Sequence, residues 1–247
     1  MASIINSLRN LSSDSFWFIK ILFLAVPIFF ILEYGALESY GFEDKLIFGS
    51  IIGIVYLGVA AILMHRNINN LSPILPSLFT IPELIVKALG ISVVSVPFYI
   101  IYVCIINAIA TRLVLEPFVM WVIYICVTLF IAPFILVPAV LYCVRGKLSD
   151  AFNFKIIVDA AGNFSVAFLS YVIQYAFTIL LFTYLFYRMF DAMVESSLVS
   201  NIIFSISFVV SFLSLYSYCS DCYGDIIPQI KKKRKNKINV REDILDW

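Results

Sequence analysis

The chain has 247 residues, of which 62% are hydrophobic and only 13% charged, with a formal net charge of +1. Soluble domains carry about 25% charged residues, so a single water-soluble core of this composition is excluded. The apolar residues fall in long runs, which is the pattern of a multi-pass membrane protein. The cysteines number five and form no framework of the secreted disulfide kind; a reducing or lipid-buried setting suits all of them.

In chain order, residues 1–15 are polar with Ile4, Ile5, Leu8 and Leu11 at helical spacing, which predicts a short helix on the membrane surface. Six apolar runs follow, at 16–32, 46–64, 88–110, 118–144, 164–187 and 198–219. Each approaches or exceeds the ~17 residues a helix needs to cross the hydrocarbon core, where only helices satisfy their own backbone groups. The first run carries Lys20 and lacks a small-x-small cleavage site after Leu32, so it reads as a retained span rather than a signal peptide. Pro27, Pro97, Pro133 and Pro138 are expected to kink their spans. The fold class is therefore all-α: six kinked transmembrane helices over residues 1–228, then a polybasic tail over 229–247.

Basic residues in the connections set orientation. Thirteen Lys and Arg fall on one side, from Arg9 to the C-terminal tail, and only Lys45, Arg112 and Arg188 on the other. Both termini are expected in the cytoplasm of a cell whose membrane the chain crosses. The opposite side is acidic, with Glu33, Glu38, Glu43, Asp44, Glu116, Asp191 and Glu195.

Two connections on the basic side read alike. Thr80, Pro82 and Glu83 form a capping box, and Glu83 and Lys87 are spaced to pair. This predicts an interfacial helix that ends at Gly90 and turns into span three. After span four, Ser149 can cap a similar helix, although Asp150, Asn153, Lys155 and Asp159 share no face. LIVKALG at 84–90 and IIVDAAG at 156–162 match in type and place, consistent with a weak duplication.

Three stretches carry a family resemblance: RNINNLSPILPSLFTIPELIVKALG at 66–90, PAVLYCVRGKLSDAFNFKIIVDAAGNF at 138–164 and YSYCSDCYGDIIPQ at 216–229. With Leu75-Pro76 after span two, and Pro138, Tyr142, Gly146 and Ala151-Phe152 after span four, the chain resembles a family of bacterial and archaeal membrane proteins. That family is catalogued as the domain of unknown function numbered four thousand and thirteen. This chain has NINNLSPI where acidic and Gly residues are common in the family. The resemblance implies a six-span prokaryotic membrane protein and no activity.

The candidate sites each have two readings. Lys20 is an intramembrane charge, which is a functional signal by default; it also lies a turn from the basic-side edge and can snorkel to the headgroups. Cys219-Ser-Asp-Cys222 is a C-x-x-C that, with His65 and Cys143, can be drawn as a zinc site, although such a motif at a membrane helix end is usually nothing of the kind. No metal or other cofactor is expected. Asn107, Gln174 and Asn201 can line a solute path or bond helix to helix. Ser200, Ser207, Ser211 and Ser214, and the G-x-x-x-G of Gly49 and Gly53, read as packing surfaces. Trp17, Trp121, Tyr184, Tyr187 and Tyr216 read as interfacial anchors. Lys231, Lys232, Lys233, Arg234, Lys235 and Lys237 can bind anionic lipid at about 1 kcal/mol each, or only enforce topology.

His65 is the only histidine, and no nucleophile–base pair, H-E-x-x-H or phosphate loop is present. The expectation is a non-enzymatic membrane component, organising lipid or holding a membrane partner or a second copy, with no nucleic-acid role. A small-solute transporter or channel subunit is the alternative.

Overall fold

The structure is a computed structural model and describes residues 3–34, 42–71, 74–76, 81–112, 116–145, 148–191 and 197–222. The described residues are helical, with no strand among them. Among the described residues, nine α-helices and a π turn follow one another: α1 Ile4–Ser12, α2 Trp17–Tyr34, α3 Phe42–Ile68, α4 Ile81–Arg112, α5 Pro117–Arg145, α6 Leu148–Ala151, α7 Phe154–Tyr175, the π turn Ala176–Leu180, α8 Leu181–Asp191 and α9 Ser197–Asp221. Among the described residues, five stretches are long and apolar enough to cross a membrane, and a sixth if α1 and α2, bent by 103° to each other, count together.

The long helices alternate in direction, so α1 and the ends of α3, α5 and α9 gather at one end of the bundle with the starts of α2, α4 and α7. We call this the capped end, because α1 folds across it. The N-terminal helix is thus more than a surface helix. Its apolar stripe, Ile4 and Leu11, is buried with Ser7, against α9 and α7. The bend that returns the chain into α2 places Phe16 at φ 60°. A left-handed conformation costs a residue with a Cβ roughly 1–2 kcal/mol, so contacts elsewhere hold this turn.

Each of Pro27, Pro97, Pro133 and Pro138 lies inside a helix that continues beyond it. The basic-side connections differ from expectation. Helix α4 runs unbroken from Ile81 through Gly90 to Arg112, so no separate interfacial helix ends there. Its start agrees with the first-turn position of Pro82, while Thr80 lies outside the described residues. Among the described residues the recorded ion pair is Asp14–Lys20, and Glu83 is not joined to Lys87. Ser149 falls in the four-residue α6, and the N-cap of α7 is Asn153, whose side chain accepts from the Ile156 amide at 3.4 Å.

The two matched glycines have different surroundings. The Tyr142 ring lies directly where a Gly90 Cβ would stand, whereas Gly162 faces open space. Gly90 is needed because α5 packs onto the α4 backbone there. Gly49 and Gly53 also face open space, so they form no close helix contact. The glycine that does is Gly58, where an added Cβ would lie 2.5 Å from the Leu84 carbonyl oxygen.

Helices α7 and α9 are joined by hydroxyls. Tyr218 donates to the Ala167 carbonyl at 3.0 Å, Tyr171 meets Ser214 at 3.0 Å, Tyr175 meets Ser211 at 3.1 Å and Thr183 meets Ser207 at 2.8 Å. The serine stripe of α9 is therefore a hydrogen-bonding edge rather than a bare packing surface. Partners spaced four apart drift by about 40° per step around a straight α-helix. The π turn lies between Tyr175 and Thr183 and takes up part of that drift.

Candidate functional site

The polar side chains of the described bundle concentrate at the capped end, in two clusters. The first is built on Asp14, in the bend between α1 and α2. Its carboxylate accepts from the Leu75 amide at 2.6 Å and from Lys20 Nζ at 3.1 Å. Lys20 also donates to the Leu75 carbonyl at 3.2 Å, and Arg66 Nη1 donates to the same oxygen at 3.3 Å. Asp14 is 6% exposed, and the Lys20 side chain 13%. A charge this far from water needs a partner, and here each is the other's. The cluster also satisfies both backbone groups of Leu75, the residue that brings the connection after α3 back onto the bundle. Lys20 is thus held by an internal carboxylate.

The second cluster is built on Asp221, at the end of α9. Asn67 donates to its carboxylate at 2.9 Å and Ser7 at 3.0 Å. Asn67 reaches Ser220 Oγ at 2.6 Å as well. Three helices, α1, α3 and α9, are tied in this way. Asn67 is placed by the end of α3, where Asn70 takes φ 52°. The Asn70 amide donates to the Asn67 carbonyl at 3.2 Å and the Leu71 amide to the Arg66 carbonyl at 2.9 Å. This is a Schellman ending, and asparagine tolerates the left-handed position it requires. The NINN run is thus the C-cap of α3 plus a bridging amide.

Two openings flank the Asp14–Lys20 pair. On one side is a polar recess of about 440 Å³, lined by Asn10, Ser13, Asp14, Asn67, Asn70 and Asp221 among others. On the other is an apolar groove of about 480 Å³, with Lys20, Phe23, Leu24, Val59, Leu75 and Leu84 in its wall. The ion pair and Leu75 form the partition between them.

The remaining sequence candidates are dispersed. Gln174 accepts from the Ile4 amide at 2.9 Å, closing one of the open N–H groups in the first turn of α1. Asn201 donates to Glu33 at 2.7 Å and joins α9 to α2 at the far end. Asn107 is exposed on α4. These three amides do not line one path. His65 Nδ1 lies 3.2 Å from the Cys143 carbonyl oxygen, so the two residues meet through backbone and not through the thiol. Cys143, Cys219 and Cys222 are buried, and among the described residues no group of three or more His, Cys, Asp or Glu is placed to hold a metal ion. Trp17, Trp121 and Tyr184 are exposed as anchors would be, while Tyr216 is half-buried against Phe212 at 4.8 Å between ring centroids. Lys231, Lys232, Lys233, Arg234, Lys235 and Lys237 lie outside the described residues.

Sequence reasoning missed Asp14, Asn67 and Asp221. Asp14 and Lys20 stand in neighbouring turns of the chain, a carboxylate just outside an apolar run and an amine just inside it. That was the available signal. Nothing local marks Asp221 as the partner of Ser7 and Asn67.

Comparison with protein-family models, with curated proteins and with solved structures finds no match.

Proposed function

We propose that this chain is a non-enzymatic, multi-pass integral membrane protein that organises the lipid around it. The observation that carries this reading is the placement of the two openings. The polar recess stands at one end of the bundle, and the apolar groove opens on its flank, where acyl chains would lie. The described polar groups at the capped end are engaged in ties between elements. The basic tail adds attraction to an anionic leaflet. Purification in mild detergent with quantitative lipid analysis is the test. Anionic phospholipid is expected to be enriched over the source membrane. A stoichiometric protein partner with no lipid enrichment would replace this reading by a partner role.

A small-solute transporter is the second reading. It is favoured by the π turn and the hydroxyls of Thr183, Ser207 and Ser211 at a cleft of about 380 Å³ between α2, α8 and α9. Solute flux in liposomes abolished by Thr183→Val would establish it.

The orientation that goes with either reading has both termini in the cytoplasm. Reporter fusions after Asp44, Glu116 and Glu195 are expected to report the outside, and a cytoplasmic signal from any of them overturns it.

A further inference from the structure

We infer that the groove between α2, α3 and the start of α4 is a binding site for one anionic phospholipid, with an acyl chain in the groove and the phosphate on Lys20. The groove has the amphipathy of such a ligand. Its wall is apolar along α3 from Val59 to Ile51, about 12 Å at 1.5 Å per residue. Among the described residues its one charged lining group is Lys20, in the first turns of α2, near the capped end.

Lys20 has three N–H groups, and the described residues supply acceptors for two, Asp14 Oδ1 and the Leu75 carbonyl. The third is free to meet a phosphate oxygen. The amine is fixed by its two partners, so a ligand that uses the third donor does not have to order a flexible chain. Asp14 balances the Lys20 charge, and Arg66, which reaches the same Leu75 oxygen, leaves this cluster of described groups net positive, so a net-negative headgroup is favoured over a zwitterion.

The groove reaches the flank. Phe23 is 60% exposed and Ile51 55% exposed at its rim, while Leu24, Val59 and Leu75 are buried at its floor. An occupant therefore enters sideways from the bilayer. The volume of about 480 Å³ falls within the range of roughly 300–1,000 Å³ that small-molecule sites occupy. Leu75-Pro76 closes the headgroup end of the floor, so the Asp14 cluster that pins Leu75 also shapes the site.

This inference rests on the lipid-organising reading and deepens it. The test uses the full chain in phosphatidylcholine nanodiscs with a phosphatidylglycerol probe carrying a photoreactive diazirine on its acyl chain. Labelling is expected to concentrate on peptides that bear Phe23, Ile51 and Ile54. Excess unlabelled phosphatidylglycerol should displace it, and the same excess of phosphatidylcholine or of oleate should not. Lys20→Gln is expected to weaken competition about fivefold, the equivalent of ~1 kcal/mol for a basic residue beside anionic lipid. Because that variant also strands Asp14, Ile54→Trp is the second arm. It fills the groove, leaves the Asp14–Lys20 pair intact, and should abolish the label there. Equal displacement by phosphatidylcholine, displacement by oleate alone, labelling spread evenly over α4 and α5, or unchanged labelling of Ile54→Trp would each overturn the site. The two readings fail separately. Lipid enrichment without groove labelling removes the site alone; groove labelling without enrichment keeps the site and removes the wider reading.

Discussion

The capped half and the opposite half of this bundle are built on different terms. Among the described residues, buried side chains are concentrated toward the capped end and absent from the far end of each long helix. None is buried beyond Ala25 on α2, before Tyr56 on α3, beyond Phe98 on α4, before Pro133 on α5, beyond Ile179 in the π turn or before Ser205 on α9. The capped half has the close glycine contacts at Gly58 and Gly90, the buried Asp14 carboxylate and the partly buried Asp221. The opposite half is held by pairwise hydrogen bonds: Tyr102 with Thr128 at 3.0 Å and Asn201 with Glu33 at 2.7 Å. Between helices in lipid there is no hydrophobic drive, so tight association needs close backbone approach or polar ties. The capped half has both, and the opposite half has only a few ties.

The largest break in this comparison should come from Asp14→Ala. It leaves Lys20 buried without its carboxylate and the Leu75 amide without an acceptor. A cost of about 3–5 kcal/mol is expected, read as a large fall in Tm of the detergent-purified protein. Lys20→Ala should also be costly, because it strands Asp14; a merely snorkelling lysine would leave Tm unchanged.

The matched glycines give the next contrast. Gly90→Val drives a branched side chain into Tyr142 and should cost about 1–3 kcal/mol. Gly162→Ala, with open space around it, should stabilise by roughly 0.5–1 kcal/mol. Thermal unfolding of the two variants should therefore move in opposite directions, and a parallel loss would mean that the repeats are equivalent after all.

Asn67→Ala removes one donor from Asp221 and the bridge to Ser220. About 1–3 kcal/mol is expected, with freer proteolysis of α1 as a second readout. The smallest effect belongs to the opposite half. Thr128→Val deletes a tie to Tyr102 in a region where no described side chain is buried and should cost about 0.6 kcal/mol. A loss equal to that of Asn67→Ala would erase the distinction between the halves.

The amino-acid sequence already specified long apolar helices, five or six of them able to cross a membrane. Long apolar runs leave a chain no conformation but helix in lipid, and Pro82 in the first turn marked where α4 begins. It also placed Trp17 and Trp121 at exposed positions near helix ends. The tertiary structure alone decided what the polar residues do. Lys20 has the same place in the chain whether it faces headgroups or Asp14, and only the 103° bend after α1 selects the carboxylate. Gly90 and Gly162 have matching local sequence, and only the Tyr142 ring arriving from α5 makes one of them indispensable. Asp221 pairs with Ser7 across nearly the whole chain. Local periodicity reports which face of a helix is apolar; which neighbour meets that face depends on packing between distant segments, and there the capped end was made.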